Sequence, residues 1–200
     1  MSFPPFFKEV RRIRLNDPLA ALLGAAEAGE LEYRYEDAVK LAGHSCPTVA
    51  GAYLMTLKAL GRLYPDRLPE RGGVRVELRE AQAAGTTGVT AAVAGLITGA
   101  AGEGGFKGLG GRFSRRGLLS FAVDMAGELR FTRADTGAAV EAAYHPEIVP
   151  PDPAMQPLMA RLMSGEARMD ERQEFGRLWQ LRVKRLLIDH IDDPDLIVLS

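Results

Sequence analysis

Pro47 and the apolar run from Thr48 to Leu63 constrain this chain more than any other stretch. Proline in a first helical turn has φ already near the helical value, and it lacks an N–H that would go unpaired there anyway. Val49, Tyr53, Leu57 and Leu60 then recur at helical spacing, so the run predicts a helix ending near Gly61. Ala50, Gly51 and Ala52 keep another side thin, which permits close approach of another backbone or a ligand. With 200 residues and 46% hydrophobic composition, the chain can bury one substantial core.

Other segments supply a sheet. Val74 to Glu80 alternates apolar and charged residues, the pattern of a strand with one buried face. Leu118 to Val123 and Leu129 to Thr132 read as strands joined by residues 124–128, and Asp135-Thr136-Gly137 turns the chain into another, Ala138 to Tyr144. The expectation is an α+β fold whose antiparallel sheet of four or more strands is covered by helices. One helix starts at Asn16-Asp17-Pro18, with Leu19, Leu22, Leu23 and Ala26 on one face and Gly29 at its end. A second covers Tyr35 to Leu41, and a third, nearly all small or apolar, runs from Val89 to Ile97 and stops at Gly99. Phe3, Phe6 and Phe7 lie in a segment too short to fold alone, so they dock onto a second protomer or onto the body. The proline cluster at 150–153 divides a core, 1–149, from a C-terminal helical extension, 150–200. In that extension Phe175, Leu178, Trp179, Val183, Leu186 and Leu187 share a face that packs on the core or on a symmetry mate, and Trp179 with its flanking arginines suits an interface.

The chemistry gathers before the Pro47 helix, at Gly43-His44-Ser45-Cys46. Cys46 falls at or next to the N-cap, where the partial positive charge of the helix start favours a thiolate. His44 is two residues away on non-helical backbone, and imidazole with thiolate is a pairing zinc accepts. A metal needs three or four ligands; with only three histidines in the chain, His145, at the end of the last predicted strand, is the natural third. The competing reading makes Cys46 a small buried hydrophobe and His44 a hydrogen-bonding group.

The turn with its proline, and Gly51 four residues on, resembles the signature of the FmdE-like family of formylmethanofuran dehydrogenase components, Gly-His-x-Cys-Pro-Gly, over roughly Leu31 to His145. Thr48 stands here where the family has its last glycine, and the further cysteines of many members are absent. The resemblance implies an α+β core, an intertwined homodimer, and a divalent metal, often zinc, with His44 and Cys46 as ligands. It also implies that the family's segment rich in glycine and lysine borders the motif's cleft, which would put Lys107 and Arg112 near a substrate.

That segment is itself informative. Between Gly99 and Gly117 the glycines let backbone approach a ligand, while Lys107, Arg112, Arg115 and Arg116 bring four cations with no acid after Glu103. Lys107, Arg112 and Arg116 are therefore candidates to hold an anionic small molecule or cofactor; a surface loop with solvated cations is the other reading. No phosphate-loop pattern is present. A net charge of −1 gives no electrostatic footprint for nucleic acid or an anionic membrane. No run approaches the ~18 apolar residues of a spanning helix, and a secretory h-region is not evident, so the expected location is cytoplasmic. The functional expectation is a zinc-binding protein with a His-x-Cys site beside an anion-holding loop. The alternative is a non-catalytic binding or redox-accessory module with a reactive Cys46 and no metal.

Overall fold

A computed structural model describes residues 3–200. The fold is α+β, with two sheets and helices packed around the Pro47 helix. Strands β1 (Ile13–Asn16) and β2 (Glu30–Tyr33) form an antiparallel pair, with Ile13 opposite Tyr33 and Asn16 opposite Glu30. Between them, α1 (Pro18–Leu22) is only five residues long, capped by Asp17, whose Oδ1 accepts from the Leu19 and Ala20 N–H groups. The longer helix expected through Ala26 does not form: Gly24 takes φ +66°, and Leu22 and Leu23 are exposed instead of forming a buried face. Pairing of β1 with β2 brings the ends of the connection together, and the Asp17 N–H donates to Gly29 O at 2.7 Å, so the chain turns back after one short helix.

Helix α2 (Tyr35–Ala42) ends at Gly43 in the left-handed conformation and leads into α3 (Pro47–Leu63). Along α3, residues Val49 to Thr56 are all buried, so this helix is central to the core. It packs on α4 (Thr87–Thr98) and on one face of the larger sheet. The Phe3–Phe7 segment docks onto the body of its own chain: Phe7 meets Tyr35 edge-on at 4.9 Å, and Tyr35 meets Tyr53 of α3 at 5.7 Å.

The larger sheet has the order β4 (Leu119–Ser120), β3 (Val74–Leu78), β5 (Leu129–Arg133), β6 (Ala139–Tyr144), β7 (Ile197–Leu199). Val76 faces Phe131, Phe131 faces Val140, and Ala142 faces Leu199, all in antiparallel pairs. The sheet is mixed, because β4 runs parallel to β3, with Val76 beside Leu119. The strands expected over 118–123 and 129–132 are not neighbours; they flank β3 on opposite edges. Ala122, at φ +58°, bends the chain so that residues 124–128 pass the end of β3, and the Arg79 N–H donates to Glu128 O there.

The segment after residue 150 is helical over α5 (Met155–Met163) and α6 (Met169–Lys184), and α6 continues as a π-helical turn, Arg185–Asp189. It belongs to the same core: Val183, Leu186 and Leu187 are fully buried, and β7 completes the sheet. Among the described residues, no helix is long and apolar enough to cross a membrane.

Candidate functional site

Two places carry the predicted residues, and they differ in what surrounds them. The first is the turn between α2 and α3. Cys46 is the N-cap of α3, its Sγ accepting from the Val49 N–H at 3.5 Å, and it is only 8% exposed within the core. Ser45 beside it is held from three directions. Its Oγ donates to Gln180 Oε1 and accepts from Tyr35 Oη, each at 3.0 Å, while its carbonyl accepts from Trp179 Nε1 at 2.8 Å and from Gln180 Nε2 at 3.2 Å. Tyr144 reaches from β6 to donate to Pro47 O at 3.0 Å, across the thin side of α3 at Gly51. Burial pushes the Tyr35 and Tyr144 hydroxyls well above the usual phenol range, so both stay protonated donors. Trp179 thus secures a turn of its own chain.

His44 is exposed, with Nδ1 at 2.9 Å from Ala42 O. A carbonyl only accepts, so Nδ1 carries the proton and Nε2 keeps its lone pair in the neutral ring. A metal-binding histidine is commonly oriented in this way. His145, expected as the third ligand, lies at the end of β6 with its side chain 44% exposed and Nδ1 at 3.0 Å from Glu147 Oε1. His190 follows the π-turn and pairs with Asp193. A thiol with an imidazole suits zinc in kind, but the set falls short in number. Among the described residues, no three His, Cys, Asp or Glu side chains gather so that they could hold a metal ion.

The second place is the glycine-rich loop. It is a folded unit: Arg115 N–H donates to Phe106 O, and Leu109 and Arg112 exchange backbone hydrogen bonds around Gly110 and Gly111, both at positive φ. The four cations separate. Lys107 is exposed and makes no hydrogen bond or ion pair with the described residues. Arg116 turns back to Glu103, its Nε donating to the carbonyl at 2.9 Å. Arg112 lies over the Phe113 ring at 4.8 Å with no acidic partner among the described residues. Arg115 turns inward, 7% exposed, and its Nη2 donates to Asp17 Oδ1 at 2.8 Å.

Asp17 is shared. Its Oδ2 accepts from Arg71 Nη1 at 3.1 Å, and Arg71 Nη2 donates to Leu96 O at 3.0 Å, whereas Arg71 Nε is buried without a partner. Burial works to raise the Asp17 pKa, but the Ala20 N–H and the guanidiniums of Arg115 and Arg71 outweigh it, and the carboxyl titrates below its ordinary value. Two guanidiniums on one carboxylate leave an excess positive charge where solvent is scarce. Beside it opens a cleft of about 520 Å³ lined by Glu70, Arg71, Arg112, Phe113, Ser114 and Arg115. This is within the usual size range of small-molecule sites.

Of the three residues expected to hold an anion, only Arg112 lines this cleft. Arg71 enters it from distant sequence, and Asp17 stands behind Arg71 and Arg115. The one sequence signal for Arg71 is the Gly72-Gly73 pair after it, which allows close approach of another chain segment: a Cβ on Gly72 would collide with the Arg115 guanidinium. No protein-family model matches the chain, and no curated protein sequence matches it.

Proposed function

We propose that this chain is a binding protein for a small anionic molecule, akin to the FmdE-like family that its Gly-His-x-Cys-Pro turn resembles, and that the ligand sits in the arginine-lined cleft. One observation carries the reading: Arg71 and Arg115 share a single buried carboxylate at the wall of the cleft, and Arg112 faces it without an acid. Three guanidiniums beside two carboxylates, Asp17 and Glu70, leave a positive excess that favours an anion, and guanidinium forks suit carboxylate or phosphate oxygens. Calorimetric titration with pyrophosphate and with citrate at low ionic strength tests it. Saturable binding of one anion per chain is expected, weakened about tenfold by Arg112→Ala and little changed by Lys107→Ala or Arg116→Ala, whose side chains lie outside the cleft. No binding by the wild-type protein, or equal losses in all three variants, contradicts the reading.

A second reading attaches to His44 and Cys46. The Nδ1 hydrogen bond to Ala42 O leaves Nε2 as a donor two residues from a thiol, so the pair would supply two positions to a divalent ion such as zinc, with the other donors coming from outside this set. Metal analysis of the wild-type protein beside Cys46→Ala decides it: about one ion per chain, lost with the thiol, is the outcome that supports it. The homodimer implied by the resemblance is tested on the same samples by sedimentation.

A further inference from the structure

We infer that Asp17 and Arg115 are positioning residues of the anion cleft: their ion pair fixes the loop that brings Arg112 and Ser114 into the same cleft as Arg71. This rests on the anion-binding reading of the cleft and adds to it an acid whose removal should weaken, not strengthen, anion binding.

The argument begins with the route taken by Arg115. Its backbone belongs to the glycine-rich loop, three residues after Arg112, yet its guanidinium reaches Asp17, 98 residues earlier, and both side chains are more than nine-tenths buried. The route passes between two glycines. A Cβ on Gly72 would fall on Nη1 and within 2.8 Å of Nε, and one on Gly99 would lie 3.1 Å from Nη1. The backbone reinforces this anchor, since Ala101 N–H donates to Arg115 O at 3.1 Å and Gly72 N–H to Thr98 O at 2.7 Å. The loop is thus fastened to the body at Arg115, and Arg112 and Ser114 project from beside that fastening into the cleft.

Asp17 holds the other wall as well. One carboxylate oxygen takes Arg115 and the other takes Arg71, so two like charges are kept at a set separation by the anion between them. Without that charge the guanidiniums repel, and the spacing between Arg71 and the loop that carries Arg112 is lost. Electrostatics alone gives the opposite expectation. Deleting a negative charge makes the cleft more positive by one unit, and a cleft that merely attracts anions would then bind them more tightly.

Asp17→Asn separates the two. An asparagine is as good an N-cap as aspartate, so α1 keeps its start, while the charge is removed and the oxygen that accepts from Arg71 becomes an NH2 group. In calorimetric titration with pyrophosphate the variant is expected to bind about tenfold more weakly, with the stoichiometry unchanged. A purely structural defect would instead lower the fraction of competent protein and leave the affinity of the rest intact. Arg115→Lys is the companion variant: it keeps both charges but replaces the fork with a point charge, and it too should weaken binding while circular dichroism shows the fold retained. Binding in Asp17→Asn that equals or exceeds wild type overturns the positioning role, as does unchanged affinity in Arg115→Lys. Failure of the wild-type protein to bind pyrophosphate and citrate removes the cleft reading itself, and this inference with it.

Discussion

Gly51→Ala should destabilise the protein, although alanine is the better helix former. In an exposed helix the exchange gains about 1 kcal/mol, because glycine gives up more backbone freedom on folding. Gly51 is not exposed. A Cβ there would lie 2.8 Å from Tyr144 Cζ and closer still to the ring edge, against a normal carbon–carbon separation of about 3.5–4.0 Å. The nearest ring atom, Cε1, would be only 2.2 Å away, so the ring must retreat by about 1.5 Å, and it is held at both ends. Its hydroxyl donates to Pro47 O, and its backbone N–H donates to Glu128 Oε1 at 3.2 Å. Overpacking of this kind costs about 1–3 kcal/mol, and surrender of the Pro47 hydrogen bond adds about 1 kcal/mol. After the helical gain is subtracted, a net loss of about 1–3 kcal/mol remains, or roughly 6 °C in Tm for a 2 kcal/mol loss in a domain of this size. Urea unfolding followed by far-ultraviolet circular dichroism measures it. The same substitution made in a Tyr144→Ala background should be neutral or stabilising, because the obstacle is gone. Stability of Gly51→Ala equal to or above wild type would refute the reasoning.

Trp179→Phe keeps the ring but removes the N–H that reaches Ser45 O, and it should cost about 1 kcal/mol; Arg177→Ala breaks an exposed pair with Glu174 and should leave the urea midpoint almost unmoved. Because the Asp17 pKa lies below its unfolded value, its contribution is present above about pH 4 and is lost as pH falls through the folded pKa. Asp17→Asn should therefore flatten the acid limb of a stability profile measured by thermal melts, and an unchanged limb would count against that assignment. Cys46, at 8% exposure, should react slowly with iodoacetamide in the native protein and rapidly in denaturant, as mass spectrometry can follow.

Much of the architecture is written locally. The alternation of Val74 to Leu78 marks β3, the proline and helical spacing mark α3, and Gly99 ends α4 at positive φ as its lack of a Cβ allows. What escapes a local reading depends on partners far away in the chain. Residues 119–120 and 197–199 are too short to show a period, and they are strands because β3 and β6 offer them edges. The small residues at 50–52 foretell a close approach, but nothing nearby in sequence names Tyr144 as the side chain that uses it. The site follows the same rule. Composition marks Arg112, Arg115 and Arg116 alike as loop cations. Only the fold turns one inward to Asp17, ties one to Glu103 and leaves one facing the cleft. His145 likewise looks available by elimination, and its Nδ1 pairs with Glu147, two residues on, but no group of three metal-ligating side chains gathers there among the described residues.

Trp179 is the sole tryptophan of the chain, and its indole N–H is bound to the carbonyl that precedes Cys46. Fluorescence of this protein is therefore a local signal with a known address. Excitation at the red edge of the absorption band should reveal any rearrangement of the Gly43–Pro47 turn as a wavelength shift, with no label attached. An anion lodging in the arginine cleft, whose lining includes neither Trp179 nor any residue of that turn, should leave the emission colour as it was. One cuvette can thus tell which of the two places a titrant has visited.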